Sequence, residues 1–549
     1  MKQQLWSCSI ITLFILGIYL PAEANIYYVS KNGADSLDGR SQLTAWKSLA
    51  QVNRFVFDNN DTLLFEGGAV FNGVINLPGT SGKSKPAFIS SYGVGKATIK
   101  SGLLTAINIV NTGNMTISNL IISGDGYKIT NGTTHGIEYI SEGPLAGFIS
   151  NIKIDEVEVS GFGGNGIYFH PKDSVFGFSD VRITNCSLHD NGIAGLYVNG
   201  TWDNVKQLIR FNNANIYVGN TVAFRNYGRS GKKDNWSGSG ILVAGTIRGM
   251  IEHCEAYENG AENGSGGAGP IGIWTDDSKY ITIQYCVSHH NKGGKAKKDG
   301  GGFDLDGGSF GCVIQYCNSY ENEGAGYSLF QWQTGNPWKY DTIRYNNSTN
   351  DGRNSSYGSI TCWGFGKNYK VNEAQVYGNK IKMDKPGNAM VFLDNHFSNV
   401  HIYDNEFCLE NGATYSPGIA SKVTVSGSKF KCKTDTIIAL PDTTIILTDT
   451  IIVLPDTTVA AVVTHQTEVR VFPNPVTNGL LNISFSNMHP GNYTIRLVNI
   501  VGMVVSLKHI ELNQPTMLVP LNVNRQAAGA YALQIFNEQY QLMKTVFIE

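Results

Sequence analysis

Three aspartates fall in two segments of similar texture: Asp276 in GIWTDD (residues 272–277), and Asp304 and Asp306 in GFDLDG (residues 302–307). Alternate residues of an extended strand face opposite sides, so Asp304 and Asp306 share a face with Cα atoms ~6.6–7 Å apart. If the two segments pair side by side, Asp276 stands ~4.8 Å from Asp306. Carboxyl groups that close cannot all ionise, and one keeps its proton towards neutral pH. An acid beside a carboxylate is what glycoside hydrolysis uses, at ~5–5.5 Å for retention or ~6.5–9.5 Å for inversion. The backbone spacing permits both. Glu323, in the turn of SYENEGAGYSLF, overhangs the same level, as do Asp277 and Asp299. Asp304 and Asp306 are the first catalytic candidates and Glu323 the third. Two other readings stand beside this one. Asp276, Asp304 and Asp306 could hold Ca²⁺, which takes several carboxylate and carbonyl oxygens, or they could be plain solvated side chains.

The same texture recurs in GIYFHP, GLYVNG, GILVAG and GYSLFQ. In each, the second and fourth residues are apolar or small and point inward, leaving the third and fifth outside. One outward column is then Tyr168, Tyr197, Leu242, Trp274, Asp304 and Ser328; the other is His170, Asn199, Ala244, Asp276, Asp306 and Phe330. Pyranose rings stack on aromatic faces, and their hydroxyls need fixed donors and acceptors. Trp274, Tyr197, Tyr168, His170, Asn199 and Asp276 are therefore expected to hold a sugar chain. Two loops carry clustered cations, Arg229, Lys232 and Lys233 in one and Lys292, Lys295, Lys297 and Lys298 in the other. Such clusters suggest an anionic glycan, uronic or sulfated, or else solvated edges.

What must position these residues is a repeat. ITNCSLHDN, IEHCEAYEN, IQYCVSHHN, IQYCNSYEN and IRYNNSTND align, and each precedes a variable polar loop and one of the glycine-led strands. A period in the twenties to forties with strand patterning predicts an all-β solenoid, a parallel β-helix. Cys186, Thr221, Cys254, Cys286, Cys317 and Asn346 then stack as one interior ladder of buried thiols and small groups. Coils ~4.8 Å apart would also allow a bridge among Cys254, Cys286 and Cys317. Asn191, Asn226, Asn259, Asn291 and Asn322 form a second ladder, which serves buried backbone groups. Near the start, a helix capped around Thr44 closes the first coil.

The chain opens with a basic, then apolar, then small-residue stretch that reads as a cleaved signal peptide, residues 1–24. No other stretch approaches ~18 uninterrupted apolar residues, so no transmembrane segment is expected. The solenoid is expected over residues 25–432. A linker follows at 433–466, where TIIALPDTT recurs as TIIVLPDTT, and then a small β-sandwich at 467–549. With 42 Lys+Arg against 44 Asp+Glu, nothing global points to nucleic acid or an anionic membrane. A phosphate loop and an HExxH pair are both missing from the sequence.

The repeat, with YYVSKNGADSLDG…AWKSLAQVN and SGKSKPAFISSYG, resembles the right-handed parallel β-helix proteins of the pectate-lyase-like superfamily. That resemblance implies a bacterial polysaccharide lyase or glycoside hydrolase. One lyase branch of it carries a basic residue where Asp306 stands, and acidic calcium ligands where Gly324, Ala325 and Ser328 stand. The departure favours a carboxylate glycosidase, with a calcium-assisted lyase and a non-catalytic glycan-binding adhesin as alternatives. FPNP, LVNIVGMVV and the late GAY resemble the C-terminal sorting domain of type IX secretion. This implies that the secretion machinery is a partner and that a monomer is released outside the cell or attached to its surface.

Overall fold

In the computed structural model the described residues are 24–432 and 468–549. The exceptions are 58–59, 78–86, 130–131, 354–355, 416–422 and 431, and short stretches of the C-terminal part. The leader and the TIIALPDTT repeat lie outside them. The chain divides into two units, 1–437 and 438–549.

The first unit winds through three parallel sheets of 14, 13 and 12 strands, visited in turn by each coil. One coil runs Lys279–Gln284, Val287–His289 and Gly301–Leu305 through the first, second and third sheets. The first corner of that path is a two-residue bend; the second opens on the same kind of residue and then runs into the loop 290–300. At the first, a residue in the left-handed region, such as His253, Tyr285 or Tyr316, precedes Cys254, Cys286 or Cys317. At the second, Asp190, Arg225, Glu258, His290 and Glu321 are left-handed and precede the ladder asparagines. The inward residues of the three sheets make a continuous core of Ile, Val, Leu and Phe.

The ladders divide the work of satisfying the corners. Asn226 Nδ2 donates to Asn259 Oδ1 at 3.0 Å, and the Asn226 backbone amide donates to the same oxygen. The pattern repeats up to Asn322, which donates to Asp351 Oδ1 from both its backbone and side chain. The thiols of the other ladder are free and buried, each donating to a nearby carbonyl, as Cys286 does to Gln284 at 3.2 Å. No bridge joins Cys254, Cys286 and Cys317. The disulfide is elsewhere: Cys408–Cys432 ties the strand Glu406–Leu409 to the chain just past the last strand, Lys429–Phe430.

The opening helix is Leu49–Arg54, and its cap is Ser48, whose Oγ accepts from the Gln51 amide. Thr44 is not the cap. It is tied into a turn with Ser41, while Asp35 draws in the Lys47 and Ser48 amides and so sets where the helix begins. Leu49 and Val52 are buried in the core at the solenoid's first coils, beside the packed rings of Tyr27, Trp46, Phe55 and Phe57.

The second unit holds antiparallel sheets of three and four strands that share one core, with Ile483, Phe485, Leu497, Leu533 and Val546 buried in it.

Candidate active site

The outward face of the 12-stranded sheet is the floor of a groove. Register pairs Tyr168 with Tyr197, Tyr197 with Leu242, Leu242 with Trp274, Trp274 with Asp304, and Asp304 with Ser328. Beside that column Ala244 pairs with Asp276, and Asp306 donates its amide to the Thr275 carbonyl, which seats it next to Asp276. Inward-facing Phe303, Leu305, Ile273 and Tyr327 are fully buried. Loops 225–238, 258–270 and 290–300 rise along one edge of this sheet, and loops 199–212 and 332–341 along the other.

A cleft of 850 Å³ lies between these walls, lined by Asp276, Asp299 and Asp306 among aromatic residues. Trp332 Nε1 donates to Asp276 Oδ1 at 3.0 Å. Gly307 permits this, because a Cβ there would lie 2.0 Å from that same indole nitrogen. Burial pushes the Asp276 carboxyl up to about 7, against the pull of the indole. Asp306 takes the Gly307 amide on Oδ1 at 2.7 Å; burial, and then the charge of Asp276, raise its carboxyl well above the usual range. Asp304 sits deeper, 1% exposed, with Oδ1 lacking any partner. Burial and then Asp306 and Asp299 raise it too. Asp299 is fixed by the Tyr357 hydroxyl (2.7 Å) and the Gly269 amide (2.8 Å). A protonated carboxylic acid and an ionised neighbour in one cleft can deliver one proton and supply one negative charge.

Other predicted residues divide into those at the cleft and those away from it. Tyr168 and Tyr197 stack at 5.3 Å, and Asn199 joins them, accepting from the Tyr197 hydroxyl and donating to that of Tyr168. His170 stacks on Tyr168 at 4.9 Å. Trp274 differs from the expectation: Trp236, from loop 225–238, packs over it at 5.2 Å and leaves it 2% exposed. Its face is not offered to a sugar, because a loop whose path the strand period does not encode covers it. Glu323 is not drawn to the aspartates; its Oε2 accepts from the Gly293 amide and pins loop 290–300. Asp277 leaves the strand with positive φ, is fully buried, and accepts from Thr334 and Asn336, so it anchors the loop that carries Trp332.

The outward columns also continue one coil past each end of those read from the sequence. Trp363 follows Phe330 in register, and Glu138 precedes Tyr168. Both line cavities. Trp332 needed only one more alternation after Phe330. Trp202 and Trp236 come from loops, and no periodic signal marks them.

Asp276, Asp304 and Asp306 do not converge as metal ligands. Among the described residues, the one group of three His, Cys, Asp or Glu ligand atoms within 4.8 Å of one another is Cys408, Glu410 and Cys432. Its two thiols are already joined.

Residues 148–407 match the family described as the right handed beta helix region, and residues 470–549 match the secretion system C-terminal sorting domain. The chain is a right-handed β-helix with a secretion sorting domain. Its fold is similar to the GH136 lacto-N-biosidase from Eubacterium ramulus, at TM-score 0.51 and 18% identity over 74% of this chain and 68% of that one. The native form of the same enzyme gives 0.50 and 20%, over 73% and 68%. The mannuronan C-5 epimerase AlgE6 A-module of Azotobacter vinelandii gives 0.49 and 14%, over 68% and 91%. At such identities the likeness is one of fold. No curated protein matches the chain. Among the described residues no helix is long and apolar enough to cross a membrane.

Proposed function

We propose that this β-helix is an exported glycoside hydrolase that cleaves a polysaccharide with the carboxyls of Asp276 and Asp306. The observation that carries the reading is the gathering of Asp276, Asp304, Asp306 and Asp299 in one aromatic-walled cleft, with Asp276 held near neutrality. Asp276 and Asp306 face the cleft, so they are the pair that meets the glycosidic bond. The protonated member gives its proton to the leaving oxygen, and the ionised member acts as nucleophile or as base for water. Asp304 lies behind them, its own carboxyl kept neutral chiefly by burial. The apolar leader carries the chain through the inner membrane and is removed, and the sorting domain then directs it to the surface or the medium.

The test is a screen of the full chain against neutral, uronic and sulfated glycans, reading new reducing ends and unsaturated products separately. New reducing ends without unsaturation, lowered roughly 10²–10⁴-fold in Asp306→Asn and Asp276→Asn, are expected. Unsaturated ends would mean elimination in place of hydrolysis. Unchanged turnover in both variants would remove these residues from the chemistry.

A further inference from the structure

Beyond Trp236 the groove opens into a second chamber of 1070 Å³, which shares His170, Tyr197, Asn235 and Trp236 with the aspartate cleft. Its floor holds polar groups with unspent hydrogen-bonding capacity. His135, 6% exposed, accepts the Asn165 amide on Nδ1 at 2.9 Å. Gly164 allows this approach, since a Cβ there would meet that nitrogen at 2.5 Å. The accepting Nδ1 leaves the ring proton on Nε2. Nε2 stands 3.9 Å from Glu138 Oε1, beyond hydrogen-bond reach, and His170 Nδ1 stands 3.8 Å from the same oxygen. Asn165 is 3% exposed, and its Oδ1 has no partner. One donor and two acceptors are thus held round a gap beside the stacked Tyr168 and Tyr197 rings, and an orphaned buried acceptor is costly unless a ligand meets it.

The cations at the rim are already engaged. Lys128 pairs with Glu262 at 2.9 Å and Lys232 with Asp234 at 3.0 Å. Arg229 donates to the carbonyls of Tyr127 and Gly163. Glu138 adds a carboxyl to the floor and, among the described residues, pairs with no lysine or arginine. An anionic sugar would have to displace one of the rim contacts to gain a cation here. Hydroxyls, which both donate and accept, match the floor.

We infer that this chamber is a second saccharide subsite, taking a neutral, hydroxyl-rich ring with His135 Nε2–H as donor and Glu138 and Asn165 Oδ1 as acceptors. It deepens the hydrolase reading, on which it rests only in that the ring belongs to the same glycan chain whose bond lies in the aspartate cleft. Trp236 is the partition round which that chain bends.

The experiment is equilibrium binding, by calorimetry and tryptophan fluorescence, of neutral, uronic and sulfated hexasaccharides to the full chain carrying Asp306→Asn. Neutral hexasaccharides should bind with a change in tryptophan emission. Adding Glu138→Ala should weaken them about tenfold, a loss of one hydrogen-bonded contact, with circular dichroism and melting unchanged. The inference is overturned if uronic or sulfated chains bind more tightly than neutral ones. It is also overturned if no neutral chain binds, or if Glu138→Ala leaves neutral binding intact. The two readings fail separately. Neutral binding sensitive to Glu138, with no product from the unsubstituted chain, keeps the subsite and removes the hydrolase. Cleavage with binding indifferent to Glu138 does the reverse.

Discussion

At the scale of single residues, the groove holds protons on carboxyls that burial keeps neutral. Asp276 takes an indole hydrogen bond that favours its ionised form, while burial favours the neutral one and wins. Activity should therefore fall as pH rises through about 7, where the acid loses its proton. Trp332→Phe removes the interaction that holds the carboxyl down, so the falling limb of the pH–rate profile should move upward by roughly 0.5–1 pH unit. A limb that stays in place, or moves down, would take Asp276 out of the acid's role. Much at this scale was legible from the sequence. The alternation of GIWTDD and GFDLDG points to two outward columns; register carries the first from Leu242 to Ser328, and pairs Ala244 with Asp276 in the second. Glu138 and Trp363 were missed only because the columns were stopped one coil short. Trp236 and the pinning of Glu323 were not legible, because loop paths carry no period and a glutamate's reach depends on which amide is nearest.

Among elements, the corner ladders carry a second titration. Asp351 ends the asparagine ladder, accepting from Asn322 and from Ser348 Oγ at 2.6 Å, fully buried. Burial, chiefly, raises it to about 6 from 3.8. The folded chain thus keeps a proton that the unfolded chain has shed. The contribution of Asp351 to stability is greatest below pH 4, falls between about 4 and 6, and is then level, with a total loss of roughly 3 kcal/mol at most. Asp351→Asn keeps the accepting oxygen and cannot ionise, so it should raise the melting temperature at pH 8 and leave it near the parent's at pH 4. A variant that melts lower at both would show that the carboxylate itself is needed. The Cys408–Cys432 bridge closes a span of 24 residues at the solenoid's last strands. Replacing both cysteines with serine should cost about 3 kcal/mol. Amide exchange should rise first in Val423–Ser426 and Lys429–Phe430, while the aspartate cleft keeps its protection. The cysteine ladder was readable as a stack. This bridge was not, because Cys408 and Cys432 fall where the repeat has faded.

Across the whole molecule, the proposed glycan recognition and the export signal belong to different units of the chain. The solenoid needs nothing from the second unit for its core, whose members all lie within residues 27–407. Deleting residues 470–549 should leave glycan binding intact in the purified protein, while cell fractionation finds the chain retained within the envelope and not at the surface or in the medium. Release despite the deletion would take the sorting domain out of the export route. The repeat made this architecture legible, since each coil contacts only its neighbours and repetition in sequence becomes repetition in space. The asparagine ladder gives that repetition a direction. Each rung gives its amide hydrogens to the oxygen of the next coil, so every interior rung is both giver and receiver, and Asp351, once ionised above about pH 6, has no side-chain hydrogen to give. A coil copied and spliced in among the asparagine rungs meets the same partners above and below. One spliced in just past Asp351 meets a neighbour with nothing to give. The groove can therefore lengthen by duplication from within, one sugar-facing step at a time, while the coil that ends the ladder must keep its place.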